Sequence, residues 1–322
     1  MKYEVLYQNL LIQLKNRFRQ NSELVSKLVD ILSLERMAVY RRLRLEVPFT
    51  FEEIVTISKG FNISLDSMLG IDSRTTLPFK FQSVENENPV EIDYSLLEEY
   101  LHAIKDIASD PAGEISSVSN LLPHLFYTGF KYIYHFYYFK WRYYTIPSEQ
   151  TKPYHEIILP NRLIQIVEDI FINSKKVKTN YFIFDNQIFH NFVNDVAYFN
   201  SIRLIKDEDV IHIKEELFRF LDYMEIVAIN GFTDKPSSEV SIYVSDTSID
   251  TSYSCIDSKS SLRFALIWSF IFNGILTFDE EKLMMMKHRI RAIIRTSTLL
   301  SVTGEKQRTE YFDTQRKVVE KL

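Results

Sequence analysis

Apolar residues recur every four positions at the start of the chain, at Leu6, Leu10, Leu14 and Phe18, with Val5 and Leu11 widening the stripe. That spacing predicts an amphipathic helix over 4–19. Asn21 or Ser22 is placed to cap a second helix, which turns Leu24, Val25, Leu28 and Leu32 inward. Ser33 takes the turn. A third helix over 35–44 buries Val39 and Leu43. Thr50-Phe51-Glu52-Glu53 reads as a capping box, in which hydroxyl and carboxylate each satisfy a free backbone amide. It opens a fourth helix with Ile54, Val55 and Ile57 on its core face and Gly60 at its end. Ser64-Leu65-Asp66-Ser67-Met68-Leu69-Gly70 has the Ser start and Gly stop of a short fifth helix.

Periodicity lapses over 72–92, where Pro78, Pro89 and a polar run mark a linker. Helical patterning resumes at 93–109, 114–121, 123–145, 154–174, 186–199 and 207–229. Val240-Ser241-Ile242-Tyr243-Val244 then alternates with period two, as do parts of 249–256 and 261–271. These predict a small antiparallel sheet at about 239–272. Thr277 to Glu280 reads as another capping box. It opens a helix to about 301, and a charged helix from about 306 closes the sequence. The expected fold class is therefore mainly α. Residues 1–71 form one domain and 93–322 a larger helical region carrying the small sheet.

Charge changes this picture at one place. The 322 residues carry a net charge of −5, but residues 1–47 hold nine basic side chains against five acidic ones. A local basic face binds phosphates while the rest of the chain repels them. The third helix carries Arg36, Tyr40, Arg41 and Arg44 along much of one side, so double-stranded DNA is the expected partner.

Five short helices, with the second and third joined by a tight turn, resemble the λ-repressor-like helix-turn-helix domain. Val39-Tyr40-Arg41-Arg42-Leu43 followed by Pro48-Phe49-Thr50-Phe51-Glu52-Glu53 is similar to transcriptional regulators found in Bacteroides-type bacteria, over roughly residues 4–71. The resemblance implies a recognition helix in the major groove, with Arg36, Met37, Tyr40 and Arg41 at the reading positions. It also implies that Arg44, Lys27 and the helix start at Thr50 hold phosphates. Three positions depart from the family pattern. Ser33 replaces the usual Gly, Glu35 replaces the usual Ser or Thr cap, and Arg42 stands where an apolar residue is usual.

Candidate chemistry elsewhere is sparse. Cys255 is the only cysteine, which excludes an intrachain disulfide and fits a reducing cytoplasm. There is no Gly-x-Ser-x-Gly elbow, Walker loop or Gly-x-Gly-x-x-Gly fingerprint, and no pair of histidines at metal-protease spacing. The chain is read as a non-enzyme with no cofactor or metal. The most apolar run, 264–278, is short for a bilayer, so no membrane partner is expected and the chain is placed in the cytoplasm. Twelve aromatics crowd 126–144 and read as a buried helix. The Met284-Met285-Met286 cluster reads as core filler. Lys287, Arg291 and Arg295 read as a solvated row, the alternative being contact with the acidic middle region or with DNA flanks. His190 and Asn194 share a helix face and read as a structural polar network. The expected function is sequence-specific DNA binding by a homodimeric transcriptional regulator, whose C-terminal region dimerises or senses a small-molecule or protein effector. The competing expectation is a protein-interaction scaffold that never touches DNA.

Overall fold

The computed structural model describes residues 7–8, 10–12, 14, 18, 21–61, 63, 80–82, 91–145, 147–258, 263–268 and 274–322. The chain divides into two compact units, 1–79 and 80–322.

In the first unit, Tyr7, Gln8, Leu10, Leu11, Ile12 and Leu14 are helical. Then come α1 (Asn21–Leu32), α2 (Arg36–Leu43) and α3 (Phe51–Phe61). Leu10, Leu14, Leu24, Val25, Leu28, Val39, Phe49, Ile54 and Ile57 meet in one core. The apolar periodicity thus converges from four segments, as amphipathic helices must to remove their stripes from water. The expected fifth helix, 64–70, lies outside the described residues, as do 72–79 and 83–90 of the expected linker. Lys80–Gln82, within that linker, form an edge strand, β1.

The second unit corrects the expected fold class. It is not a helical region with a small antiparallel sheet. Among the described residues a mixed eight-stranded sheet runs in the order β1-β7-β6-β5-β2-β3-β4-β8. Its centre is parallel: β2 (Glu114–Ser119), β3 (Thr179–Asp185) and β4 (Glu239–Ser245). The antiparallel strands β5 (Tyr253–Asp257), β6 (Phe264–Trp268), β7 (Gly274–Thr277) and β1 extend it on one side, and β8 (Ser297–Leu299) on the other.

Helices fill the crossovers. α4 (Glu91–Ser109) precedes β2. Between β2 and β3 lie α5 (His124–Tyr127), α6 (Lys131–Thr145) and α7 (Asn161–Ser174), and between β3 and β4 lie α8 (Ile188–Ser201) and α9 (Asp207–Asn230). α10 (Glu280–Ile294) and α11 (Glu305–Glu320) flank β8. Strand alternation sends side chains to two cores. Ile115, Phe182, Phe184, Ile242, Ile256 and Leu266 join the larger, with Phe136, Phe139, Trp141 and Phe220. Val118, Ile183, Cys255 and Ala265 join Leu283, Met286 and Ile290 of α10 on the other face. A sheet with parallel central strands requires such cover on both sides.

Each mismatch with the sequence expectation has a local cause. Residues 114–119, expected as helix, form the central strand β2. Its buried serines satisfy their hydroxyls sideways, Ser117 with Ser254 at 2.9 Å and Ser119 with Ser252 at 3.3 Å, so no apolar run announces it. β3 falls between two expected helices. The expected helix 154–174 reduces to a 3-10 turn at Tyr154–Glu156 and then α7, because Pro160 drives the residue before it out of the helical region. The expected helix 123–145 divides into α5 and α6 around Gly129. The helix expected to reach 301 stops at Ile294, and β8 pairs with β4 instead. Its cap is Asp279, whose carboxylate accepts from the Lys282 amide at 2.9 Å. Lys287, read as solvated, is buried between Glu114 at 2.8 Å and Asp257 at 2.5 Å. Among the described residues, no helix is long and apolar enough to cross a membrane.

Candidate nucleic-acid interface

α1 and α2 are joined by Ser33, Leu34 and Glu35. Ser33 occupies the left-handed region at φ +51°, a conformation that Gly adopts without steric cost. Glu35 then extends the backbone, and its carbonyl accepts the first helical bond from the Val39 amide at 3.1 Å. Its carboxylate makes no capping bond. The entry into α2 therefore lacks the side-chain cap that Ser or Thr would supply.

Within α2, Val39 is buried at its core-facing position, and Tyr40 and Leu43 are half-buried against the same core. Arg36, Met37 and Arg41 are exposed, Met37 to 65%. Arg44, at the C-cap, is exposed and lies 5.8 Å from the centre of the Tyr40 ring. Lys27 on α1 and Thr50 before α3 are exposed as well. None of the seven candidate residues is buried. Arg36, Tyr40 and Arg44 follow one i, i+4 row, and Met37 and Arg41 follow the adjacent one.

Arg42, where the resemblance leads one to expect an apolar residue, is engaged in the packing of the unit. Its guanidinium forms a two-pronged bond to Glu53, Nε to Oε2 at 3.0 Å and a terminal nitrogen to Oε1 at 2.8 Å. Both side chains are about six-sevenths buried, 15% exposed each. Glu53 also completes the capping box: it accepts from the Thr50 amide at 2.8 Å, and its own amide donates to Thr50 Oγ1 at 3.2 Å. Burial pushes the Glu53 carboxyl up, but the bonds from Arg42 and the Thr50 amide outweigh it and hold the pKa below its ordinary value. Arg42 is thus a cross-link from α2 to α3, not part of the exposed face.

Glu46 was not foreseen. Its carboxylate sits 3.5 Å from Arg41 and 4.0 Å from Arg44, with all three side chains roughly half or more exposed. An acid two to five residues beyond the arginines of a basic cluster is a weak sequence signal, and here the turn after α2 folds it back. Leu45, at φ +65°, makes that turn.

In the second unit Arg291 and Arg295, from the row singled out in the sequence, are exposed, while Lys287 is buried. Cys255 is buried in β5, and burial pushes its thiol up to about 12. Asp195, beside the His190–Asn194 face, is paired with Lys140 at 2.5 Å. No protein-family model, no curated protein and no solved structure matches the chain.

Proposed function

We propose that the chain is a sequence-specific DNA-binding transcriptional regulator, that α2 is its recognition helix, and that it acts in the cytoplasm as a homodimer. One observation carries the reading. α2 gives its inward side to the core through Val39 and exposes Arg36, Met37 and Arg41, the last with Glu46 beside it, on the side that would meet base edges. Arg side chains read guanine through paired donors in the major groove. Lys27, Arg44 and the N-terminus of α3 at Thr50 supply phosphate contacts that position the helix without reading sequence. A two-fold dimer presents two such helices about 34 Å apart, one turn of duplex.

The test is to recover DNA that co-purifies with the full chain from its native cell. A shared motif with two half-sites is expected, absent when Arg36 and Arg41 are both changed to Ala. Fragments without a common motif, or the same motif with the doubly changed chain, overturn the assignment. A second reading, a protein-interaction scaffold, is favoured by the exposed apolar side chains Met37, Leu45 and Phe51 of this unit. Under that reading no motif is enriched.

A further inference from the structure

α10 lies across one face of the sheet and packs Leu283, Met286 and Ile290 against Val118, Ile183, Cys255 and Ala265. Its outward side carries Arg289, Arg291 and, at the C-cap, Arg295, all exposed. Burial raises the pKa of Tyr253 on β5 and of Tyr181 on β3. The charge of Arg289 opposes that rise at the first, and the charge of Arg291 at the second. The two arginines therefore reach out on opposite flanks of the helix. Only β2 separates β5 from β3, so those strands stand two spacings apart, about 10 Å. From Arg289 to Arg295 the helix rises about 9 Å.

These arginines differ from the others of the unit. Arg162, Arg219, Arg263 and Arg316 each hold a carboxylate. Arg289, Arg291 and Arg295 form no ion pair or hydrogen bond among the described residues. The acids under the helix are engaged already: Lys287 joins Glu114 to Asp257, and Arg263 joins Asp257 to Glu280. Glu239 at the start of β4 and Asp246 just beyond its end are exposed, but neither pairs with the three arginines. The helix dipole favours Arg291 and Arg295 at the C-terminal end. That effect fades within one turn and does not account for Arg289.

The surroundings add donors. Tyr181, Tyr243 and Tyr253 are half-buried on the same face of the sheet, and their hydroxyls make no hydrogen bond among the described residues. Phosphate oxygens accept from both Arg and Tyr side chains. A duplex offers one phosphate charge per about 1.7 Å of its axis, so a patch of this size meets several at once.

We propose that the outward side of α10, through Arg289, Arg291 and Arg295, is a second contact of this chain with the phosphate backbone of duplex DNA. It holds the duplex without reading sequence. The proposal rests on the reading of α2 as a DNA-binding helix, which brings phosphates to the chain at high local concentration. The patch itself belongs to the 80–322 unit alone.

The experiment is fluorescence-anisotropy titration of the full chain with two labelled duplexes of equal length, one bearing the co-purified motif and one with that motif shuffled, between about 50 and 200 mM salt. Changing Arg289, Arg291 and Arg295 together to Gln should weaken binding to both duplexes at least tenfold at the lower salt. It should also make the slope of log affinity against log salt shallower by about 0.9 per arginine removed, with the preference for the motif intact. The corresponding triple Lys variant should restore most of the slope. Should the Gln variant fail to fold, Arg295→Gln alone must lower the slope by about 0.9. The Arg36→Ala/Arg41→Ala variant separates the two readings, because it should lose motif preference and keep the α10 share of the slope. An unchanged slope in the Gln variant overturns this proposal and leaves α2 standing. So does a Gln variant that passes from dimer to monomer in sedimentation with its slope unchanged, which would make the face a contact between copies. Absence of binding to either duplex by the unaltered chain overturns both.

Discussion

Arg41 and Arg44 share Glu46, and any phosphate or base must compete with that carboxylate. The competition gives paired expectations. Arg41→Ala should weaken binding to the cognate operator by about 1–3 kcal/mol, the worth of a base-reading contact. Glu46→Gln should strengthen it several-fold, because it removes a like charge from beside the phosphates and a half-exposed pair contributes little to stability. Mobility-shift titrations of both variants read this directly, and tighter binding by the Ala variant would exclude Arg41 from the interface. Ser33 offers a test free of DNA. A residue with a side chain in the left-handed region carries a cost of about 1–2 kcal/mol that Gly does not. Ser33→Gly should therefore stabilise the first unit by about 1 kcal/mol in urea unfolding.

At the scale of elements, the Arg42–Glu53 fork ties α2 to α3. Arg42→Ala leaves a mostly buried carboxylate without its charged donor and should cost about 1.5–3 kcal/mol. The pH dependence has a definite sign. The folded Glu53 pKa is depressed, so its contribution is complete above the pKa of the unfolded chain and is lost as pH falls through the folded value. Urea midpoints measured by circular dichroism from pH 7 to pH 3 should fall less steeply in the Ala variant. In the second unit, Gly304 starts α11 where a Cβ would lie 2.1 Å from the Leu299 carbonyl oxygen. Backbone cannot yield as a flexible side chain can, so Gly304→Ala should displace α11 from β8 and destabilise the unit by about 1–3 kcal/mol. A thermal scan checks this, and an unchanged transition would contradict the close packing of strand and helix.

For the whole molecule, electrostatics and topology decide different things. For a chain of net charge −5, the proposed duplex binding rests on a confined basic face, which would make affinity sensitive to salt. If Lys27 and Arg44 of each of two protomers neutralise phosphates, log affinity should fall against log salt with a slope on the order of −4, from about −0.9 per phosphate. A slope near zero would instead favour the scaffold reading. The helices of the first unit were legible because each of their parts is local. Leu24, Val25 and Leu28 share a stripe, Thr50 and Glu53 are three residues apart, and Arg36, Tyr40 and Arg44 fall one turn apart. The large sheet was not legible, since its signals are long-range. Ser117 reads as polar until Ser254 stands across from it, and Lys287 reads as solvated until Glu114 and Asp257 close on it. Local periodicity and capping therefore determined the front helices and their exposed basic side. Only tertiary structure decided the mixed sheet, because pairing between distant strands leaves no repeating mark along a chain when buried hydroxyls and charges satisfy one another.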